Sequence, residues 1–301
     1  MDVEIVKQNG QSFRLSDYGV VQDFVVHSID RSVVRDPIDG RSGLQDYGVE
    51  IGDRTIEVPM IFKAADLHDY AHLRDELYGL LDDSEPFYIR EMRRPKALQY
   101  DFVDFGRKPK WESQTDNEYV NGKQYKVRLN SSLTPEQRSL SGEVSIEFVT
   151  SDIPYAESIY TTLELHDSGY SATSEKYGLV DNIDDEKVKY RFTESDFTVY
   201  NAGNVTVEPE SAFLEISVRN AVITNHLKIK NLTTNEEIII SDGFGQARHY
   251  EIFGMTIRRA GTNIFRDTNR RFISLAPGEN EFEITGAGFD SVWVNFKYYY
   301  K

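Results

Sequence analysis

The chain has 301 residues, no cysteine, and 34 basic against 50 acidic side chains, for a net charge of -16. That balance repels nucleic acid and anionic membrane surfaces at long range. The lack of cysteine removes disulfides, thiol nucleophiles and thiolate metal sites together, which suits a protein made and assembled in a reducing cytosol.

The acidity is spread along the chain: residues 1–155 hold 28 of the 50 acidic and 19 of the 34 basic residues, so neither half is a charged tail. Hydrophobic residues at 39% and charged residues at 28% are globular values, and the 18 Tyr and 17 Phe lean towards β structure. A chain of this size buries roughly 75% of its unfolded surface, and two domains are expected. The start, MDVEIVKQNG, has neither a basic nor an apolar leader pattern, and no long apolar run follows it, so no membrane insertion is expected.

The opening VEIVKQNGQSFRL places Asn9-Gly10 between two short alternating runs, the chemistry of a tight hairpin. VVQDFVVHSI reads as strand, and a turn-rich segment surrounds Pro37, Gly40 and Gly43. In RTIEVPMIF, Ile56, Val58 and Met60 share one face of a strand, which Pro59 suggests lies at a sheet edge. The period then changes. Leu67, Tyr70, Ala71, Leu77, Leu80 and Leu81 recur at helical spacing, with Asp66 placed as N-cap and Asp69 in the first turn. Strand returns with PFYIRE.

Residues 99–138 mix Gly106, Pro109, Trp111 and Gly122 with the alternating KQYKVRL, a pattern that fits a long β-hairpin or projecting arm. TPEQRSLSG fits a loop or a single helical turn. EVSIEFVT alternates cleanly until Pro154 stops it, and Ser151 to Ser158 is taken as a domain boundary. Beyond it come short strands separated by turn residues and uninterrupted by helix: FTVYN, NVTVEPE, AFLEISVR, LKIKNL, EEIIIS, HYEIF, MTIRR, RFISL, EFEIT and SVWVNFKYYY. This is the signature of an antiparallel sandwich of jelly-roll or galectin-like type.

The expected fold is therefore mainly β. Residues 1–155 form a β-sandwich-like domain with one α-helix and a long β-hairpin arm, and residues 156–301 form an antiparallel β-sandwich.

Candidate chemistry is sparse. His68 and His72 sit one helical turn apart around Asp69, imitating a zinc-protease helix. Aspartate reaches less far than the glutamate base that chemistry uses, and no third ligand follows at the expected spacing, so a helix surface or subunit contact is the better reading. The run Asp181, Asn182, Asp184, Asp185, Glu186 lacks the register of a calcium loop and reads as a solvated loop. Ser241 to Gly245 is a glycine-rich turn joining two strands, without the helix a phosphate cradle needs.

Two surfaces stand out. Arg90, Arg93, Arg94 and Lys96, followed by Arg107, Lys108 and Lys110, form a basic run in an acidic chain and are the leading candidate for charge pairing between copies. In the last strand, Trp293, Asn295, Lys297 and Tyr299 alternate with a core face. Their mixture of indole, amide, ammonium and phenol could bind a glycan, with burial of Trp293 under neighbouring structure as the competing account. No catalytic constellation, cofactor site or metal site is expected.

The order of hairpin, turn-rich segment, RTIEVPMIFKA, leucine-rich helix, EPFYI, QYKVRLNSSL and GEVSIEFVTSDIPYAES resembles the distal tail protein of long, flexible-tailed bacteriophages, the siphophage tail family. VYNAGNVTVEPE, LKIKNLTTNEEIII, LAPGENEFEITG and the closing aromatic strand resemble the galectin-like or carbohydrate-module-like C-terminal domain of its larger members. The resemblance covers nearly the whole chain; Gly106 to Tyr119 is where it departs from the family.

That resemblance implies a structural virion protein, made in the bacterial host cytoplasm, whose N-terminal domains close into a hexameric ring at the distal end of the tail. The ring would link the tail tube protein to a tail-associated tip protein and receptor-binding proteins, with the C-terminal domains projecting outward. The alternative is a cell-wall carbohydrate-binding protein using the C-terminal sandwich.

Overall fold

The computed structural model describes residues 1–93, 118–119, 122–168 and 182–301. The chain divides into two compact units, Met1–Pro154 and Tyr155–Lys301. Both are mainly β with antiparallel pairing.

In the first unit β1 (Asp2–Val6) turns at Asn9-Gly10 into β2 (Ser12–Arg14). Gly10 has φ +85°, its N–H donates to the Lys7 carbonyl at 3.0 Å, and Lys7 N–H donates to Gln11 O at 2.8 Å. This is the tight reversal that the Asn-Gly pair predicts.

The stretch VVQDFVVHSI gives only two short strands, β3 (Val20–Val21) and β4 (Val25–Val26). A separate two-stranded ribbon follows, β5 (Arg31–Pro37) and β6 (Leu44–Ile51), with Gly40 and Gly43 in its tip.

β7 (Thr55–Lys63) leads into α1 (Leu67–Leu81), then β8 (Phe87–Arg93), β9 (Glu118–Tyr119), β10 (Lys123–Leu129), β11 (Glu136–Arg138) and β12 (Ser141–Thr150). The main sheet runs β2-β1-β8-β10-β12-β7-β3, with β4 beside β3 on β7. TPEQRSLSG is neither a plain loop nor a helical turn, because Glu136–Arg138 folds back on β12 through a turn in which Ser139 takes φ +60°.

The centre of this sheet follows from alternation. β7 and β12 pair along nine positions, matching Met60 with Val144, Val58 with Ile146 and Ile56 with Phe148, all buried on one face. A slip of one residue would turn every one of these side chains outward, so the pattern fixes the register. Val3, Ile5, Phe87, Ile89 and Val127 extend the same core.

Helix α1 covers that core through Tyr70, Leu77 and Leu81, and Tyr70 stacks on Phe62 with ring centroids 5.4 Å apart. Its start is fixed reciprocally. The Asp66 carboxylate accepts from His68 N and Asp69 N at 2.8 Å each, while Asp69 accepts from Ala65 N at 2.7 Å. Leu67, placed by period on the buried face, instead stands 65% exposed at the first helical position.

Pro59 does not mark a sheet edge. β7 has β12 on one side and β3 with β4 on the other, and Pro59 falls in the gap between those two short strands. There its carbonyl accepts from Gln22 N at 2.9 Å, and no ladder bond is asked of its missing N–H.

The second unit begins with β13 (Ala156–Ser158), which pairs with the last strand, β23 (Tyr299–Tyr300). A short helix, α2 (Thr162–Ser168), follows, although the sequence reading expects no helix in this half. Its cause is a capping box: Thr161 N donates to Glu164 Oε2 at 2.7 Å and Glu164 N to Thr161 Oγ1 at 3.4 Å.

The remaining strands are β14 (Arg191–Phe192), β15 (Asp196–Asn201), β16 (Leu214–Asn231), β17 (Glu236–Ile240), β18 (Arg248–Phe253), β19 (Thr256–Arg259), β20 (Thr262–Asn263), β21 (Gly278–Gly288) and β22 (Ser291–Phe296). β16 is one long strand where the sequence suggests two. Its first part pairs with β22 and β18, its last part with β17 and β21, and it changes sheet through register shifts at Val218–Ala221 and Ile223–Lys228. Asn220, with φ +52°, supplies the bend without reversing the chain.

Aromatic rings from the two sheets meet inside: Phe192 of β14 stacks on Phe197 of β15 at 4.2 Å, and Phe197 on Phe282 of β21 at 5.4 Å. Among the described residues no helix is long and apolar enough to cross a membrane.

Candidate functional surface

His68 and His72 are both exposed on α1, and among the described residues no three His, Asp or Glu side chains gather where they could hold a metal. Asp181 lies outside the described residues, and Ser241–Gly245 joins β17 to β18 as a turn.

The basic run is only partly in view. Arg94, Lys96, Arg107, Lys108 and Lys110 lie outside the described residues, as does nearly all of the arm expected at 99–138 up to residue 121. Arg90, expected to pair with charges on another copy, has partners within its own unit. It is committed inside its own sheet, donating from Nη1 to Glu4 Oε2 at 3.0 Å and from Nε to Gln124 Oε1 at 3.0 Å. Strand pairing places Glu4 opposite Arg90, so the charge is neutralised across β1 and β8. Arg93 is paired with Glu91 and lies 3.6 Å from Asp23.

The four residues read as a glycan platform on the last strand are also each engaged. The expected continuous strand is broken after Phe296. Thr162 Oγ1 accepts from Phe296 N at 3.0 Å, and Ser158 Oγ accepts from Tyr298 N at 3.1 Å, so side chains take over from the ladder. Trp293 is flanked by two guanidinium groups, Arg191 at 4.2 Å and Arg219 at 3.7 Å from the ring centre. Asn295 Oδ1 accepts from Leu163 N at 3.3 Å, and Lys297 pairs with Glu157 at 2.5 Å. Tyr299 is buried, with its hydroxyl accepting from Phe213 N at 2.9 Å. These four groups do not form one open face, and the cause is local: α2 and the strands beside β22 use the polar side chains for structure.

What the sequence reading missed is the ribbon β5–β6. Val33, Ile38, Leu44, Tyr47, Val49 and Ile51 are between 40% and 61% exposed. Val33 lies opposite Val49, and Val49 and Ile51 share one side by the two-residue period, which a register shift at Gly48, with φ +104°, breaks before Tyr47. Charged residues surround them, with Arg35 lying 3.9 Å from Asp46. Isolated two-stranded ribbons are marginal in water, and contiguous exposed apolar side chains mark interaction surfaces. The available signal was the alternation in YGVEI, masked by the turn residues on either side.

Residues 8–150, nearly the whole of the N-terminal unit, match the family model described as the phage tail protein RIFT-related domain. The recognition of a siphophage tail protein made from the residue pattern therefore stands. Among solved structures, the chain is similar to the crystal structure of the SPP1 Dit (gp 19.1) protein, described as a paradigm of the hub adsorption apparatus in phages infecting Gram-positive hosts. The alignment covers 99% of each chain at 15% identity and a TM-score of 0.64, a likeness of fold. A chain of the phage p2 baseplate in its activated conformation aligns over 98% of this chain and 97% of its own at 10% identity, with a TM-score of 0.43, too distant to argue from. No curated protein sequence matches the chain.

Proposed function

We propose that this chain is a non-enzymatic ring component of a siphophage tail tip, residing in the virion at the distal end of the tail. N-terminal domains of neighbouring copies close a hexameric ring; C-terminal domains project from it towards the adhesion apparatus. Its partners in this reading are further copies of itself, the tail tube protein, a tail-associated tip protein and receptor-binding proteins. Beyond the tail domain itself, the observation that carries the reading is the β5–β6 ribbon.

A row of apolar side chains with a charged surround has the composition of an interface core and rim. A surface that projects from one copy and docks on a different surface of the next makes a head-to-tail contact, and such contacts close into rings when the rotation permits. Native mass measurement across a concentration series tests this. The expected result is a closed oligomer that the pair Val49→Asp and Ile51→Asp reduces to monomer while circular dichroism stays unchanged. An oligomer indifferent to both substitutions would overturn the ribbon as the contact.

A further inference from the structure

A cavity of about 500 Å³ lies in the C-terminal unit, at the rim where the turn after β18 meets the loop before β21. Glu208, Glu210, Met255, Arg270, Arg271 and Phe272 line it. We propose that it binds an acidic sugar, a polyhydroxylated ring carrying one carboxylate.

The charges carry the argument. Four carboxylates and two guanidinium groups border the same space; Glu236 is held by Ser274 and Glu237 by Lys228, whereas Glu208, Glu210, Arg270 and Arg271 form no ion pair among the described residues. Opposite charges that line one cavity without closing on each other leave room for a molecule, and the volume falls in the range of small-ligand sites. Each guanidinium offers a planar fork of donors suited to a carboxylate. Each glutamate offers only acceptors, which vicinal hydroxyl groups would satisfy. Met255, 48% exposed, and the half-buried Phe272 supply an apolar surface for the C–H face of a ring. A long polyanion would meet the four carboxylates and the negative charge of the chain, so a single anionic group held by the two arginines and set among hydroxyls fits better.

The walls are held before any ligand arrives. Glu236 Oε2 accepts from Ser274 N at 2.7 Å and Ser274 Oγ at 2.6 Å, tying the β17 turn to the loop. Asn269 Nδ2 donates to Glu237 O at 2.9 Å, and its Oδ1 accepts from Ile239 N at 3.1 Å. The next residue, Arg270, takes φ +58°, a left-handed conformation uncommon for a non-glycine residue, which sets where its side chain departs. Preorganisation of this kind lowers the ordering cost of binding.

The test uses the full-length chain with labelled methionine methyl groups. There are four methionines, and the buried Met60 and Met92 serve as internal references for Met255. Titration with a glucuronate-containing disaccharide should shift Met255 alone, saturably and in the millimolar range expected of so small a ligand. Its uncharged methyl ester should bind at least about tenfold more weakly, the loss of one charge-assisted contact. The pair Arg270→Gln and Arg271→Gln should weaken binding by at least as much, with an unchanged urea unfolding transition of the second unit reporting an intact fold.

The proposal is overturned if Met255 does not move, if the methyl ester binds equally well, or if the double variant retains full affinity. It is overturned equally if inorganic phosphate alone reproduces the saturating shift, or if a Lys-Glu dipeptide binds more tightly than the sugar.

Discussion

Arg219 carries its guanidinium carbon 3.7 Å from the centre of the Trp293 ring, and Arg191 approaches the same ring at 4.2 Å. The two arginines come from β16 and β14, the strands on either side of β22. Asp167 holds Arg191 at 2.7 Å, and the indole N–H donates to Ser291 Oγ at 3.1 Å. Stacking on a sugar would have to compete with these two guanidinium groups for the ring. Cation-π contacts at partly exposed sites contribute about 0.5–1 kcal/mol each. Trp293→Leu should therefore cost about 1–2 kcal/mol in urea unfolding while leaving binding of neutral glycans unchanged. Glycan binding lost with an intact fold would restore the lectin reading of this strand.

Arg90 and Glu4 lie opposite each other on β8 and β1, both less than one-fifth exposed. Truncating one partner of a shielded, hydrogen-bonded pair leaves the other with less compensation. Because some solvent reaches the pair, the cost falls below that of a fully buried one. Arg90→Ala should lower the stability of the first unit by about 1–3 kcal/mol. Chemical denaturation of the monomeric ribbon variant measures this without interference from assembly. Unchanged stability with weakened assembly would instead make Arg90 an intersubunit contact.

These cases show which parts of the molecule were legible in its residues. Strands β7 and β12 and helix α1 announce themselves because one face of each is buried and the other is not, and a regular period survives translation into sequence. Where polar side chains replace backbone partners, the period fails. Pro59 looks like an edge marker because its missing donor is visible in sequence, whereas the gap between β3 and β4 that accommodates it is a property of pairing. The bend in β16 looks like a turn because Asn220 and Asn225 sit among β-branched residues, yet a bulge needs the same left-handed residue and no reversal. Helix α2 was legible through Thr161 and Glu164, but seven residues are too few to show a helical period. Arg90 and Lys297 read as surface charge because a sequence does not display the carboxylate that strand pairing sets beside each of them.

Gly203, in the stretch VYNAGNVTVEPE, lets the chain pass close against the closing strand. Asn201 Oδ1 accepts from Gly203 N at 3.0 Å, bending the chain so that Asn204 N reaches Tyr299 O at 3.1 Å. A Cβ on Gly203 would stand 2.5 Å from Tyr299 O and 2.8 Å from Tyr299 N, both backbone atoms with little freedom to yield. Gly203→Ala should destabilise the second unit by about 1–3 kcal/mol through overpacking. Proteolysis or hydrogen exchange should show the closing strand β23 released first. A fully protected β23 in a stable variant would contradict this account of the motif.

Glu236 makes the C-terminal unit sensitive to acid. Burial by itself pushes its carboxyl upward, but hydrogen bonds from the Ser274 hydroxyl, the Ser274 backbone and the Thr234 hydroxyl together outweigh burial and hold it below the usual glutamate range. A carboxyl depressed in the folded state contributes stability that is fully present above its unfolded value of about 4.3 and is lost as pH falls through its folded value. Glu236→Gln keeps the shape but not the charge. It should be less stable than the parent chain at pH 7, with the difference shrinking as the pH drops below about 4, where the parent's own carboxyl becomes neutral. Urea midpoints of the second unit's transition at a series of pH values measure this. A difference that stays constant across the series would mean that the charge of Glu236 does not hold the β17 turn to the loop at Ser274.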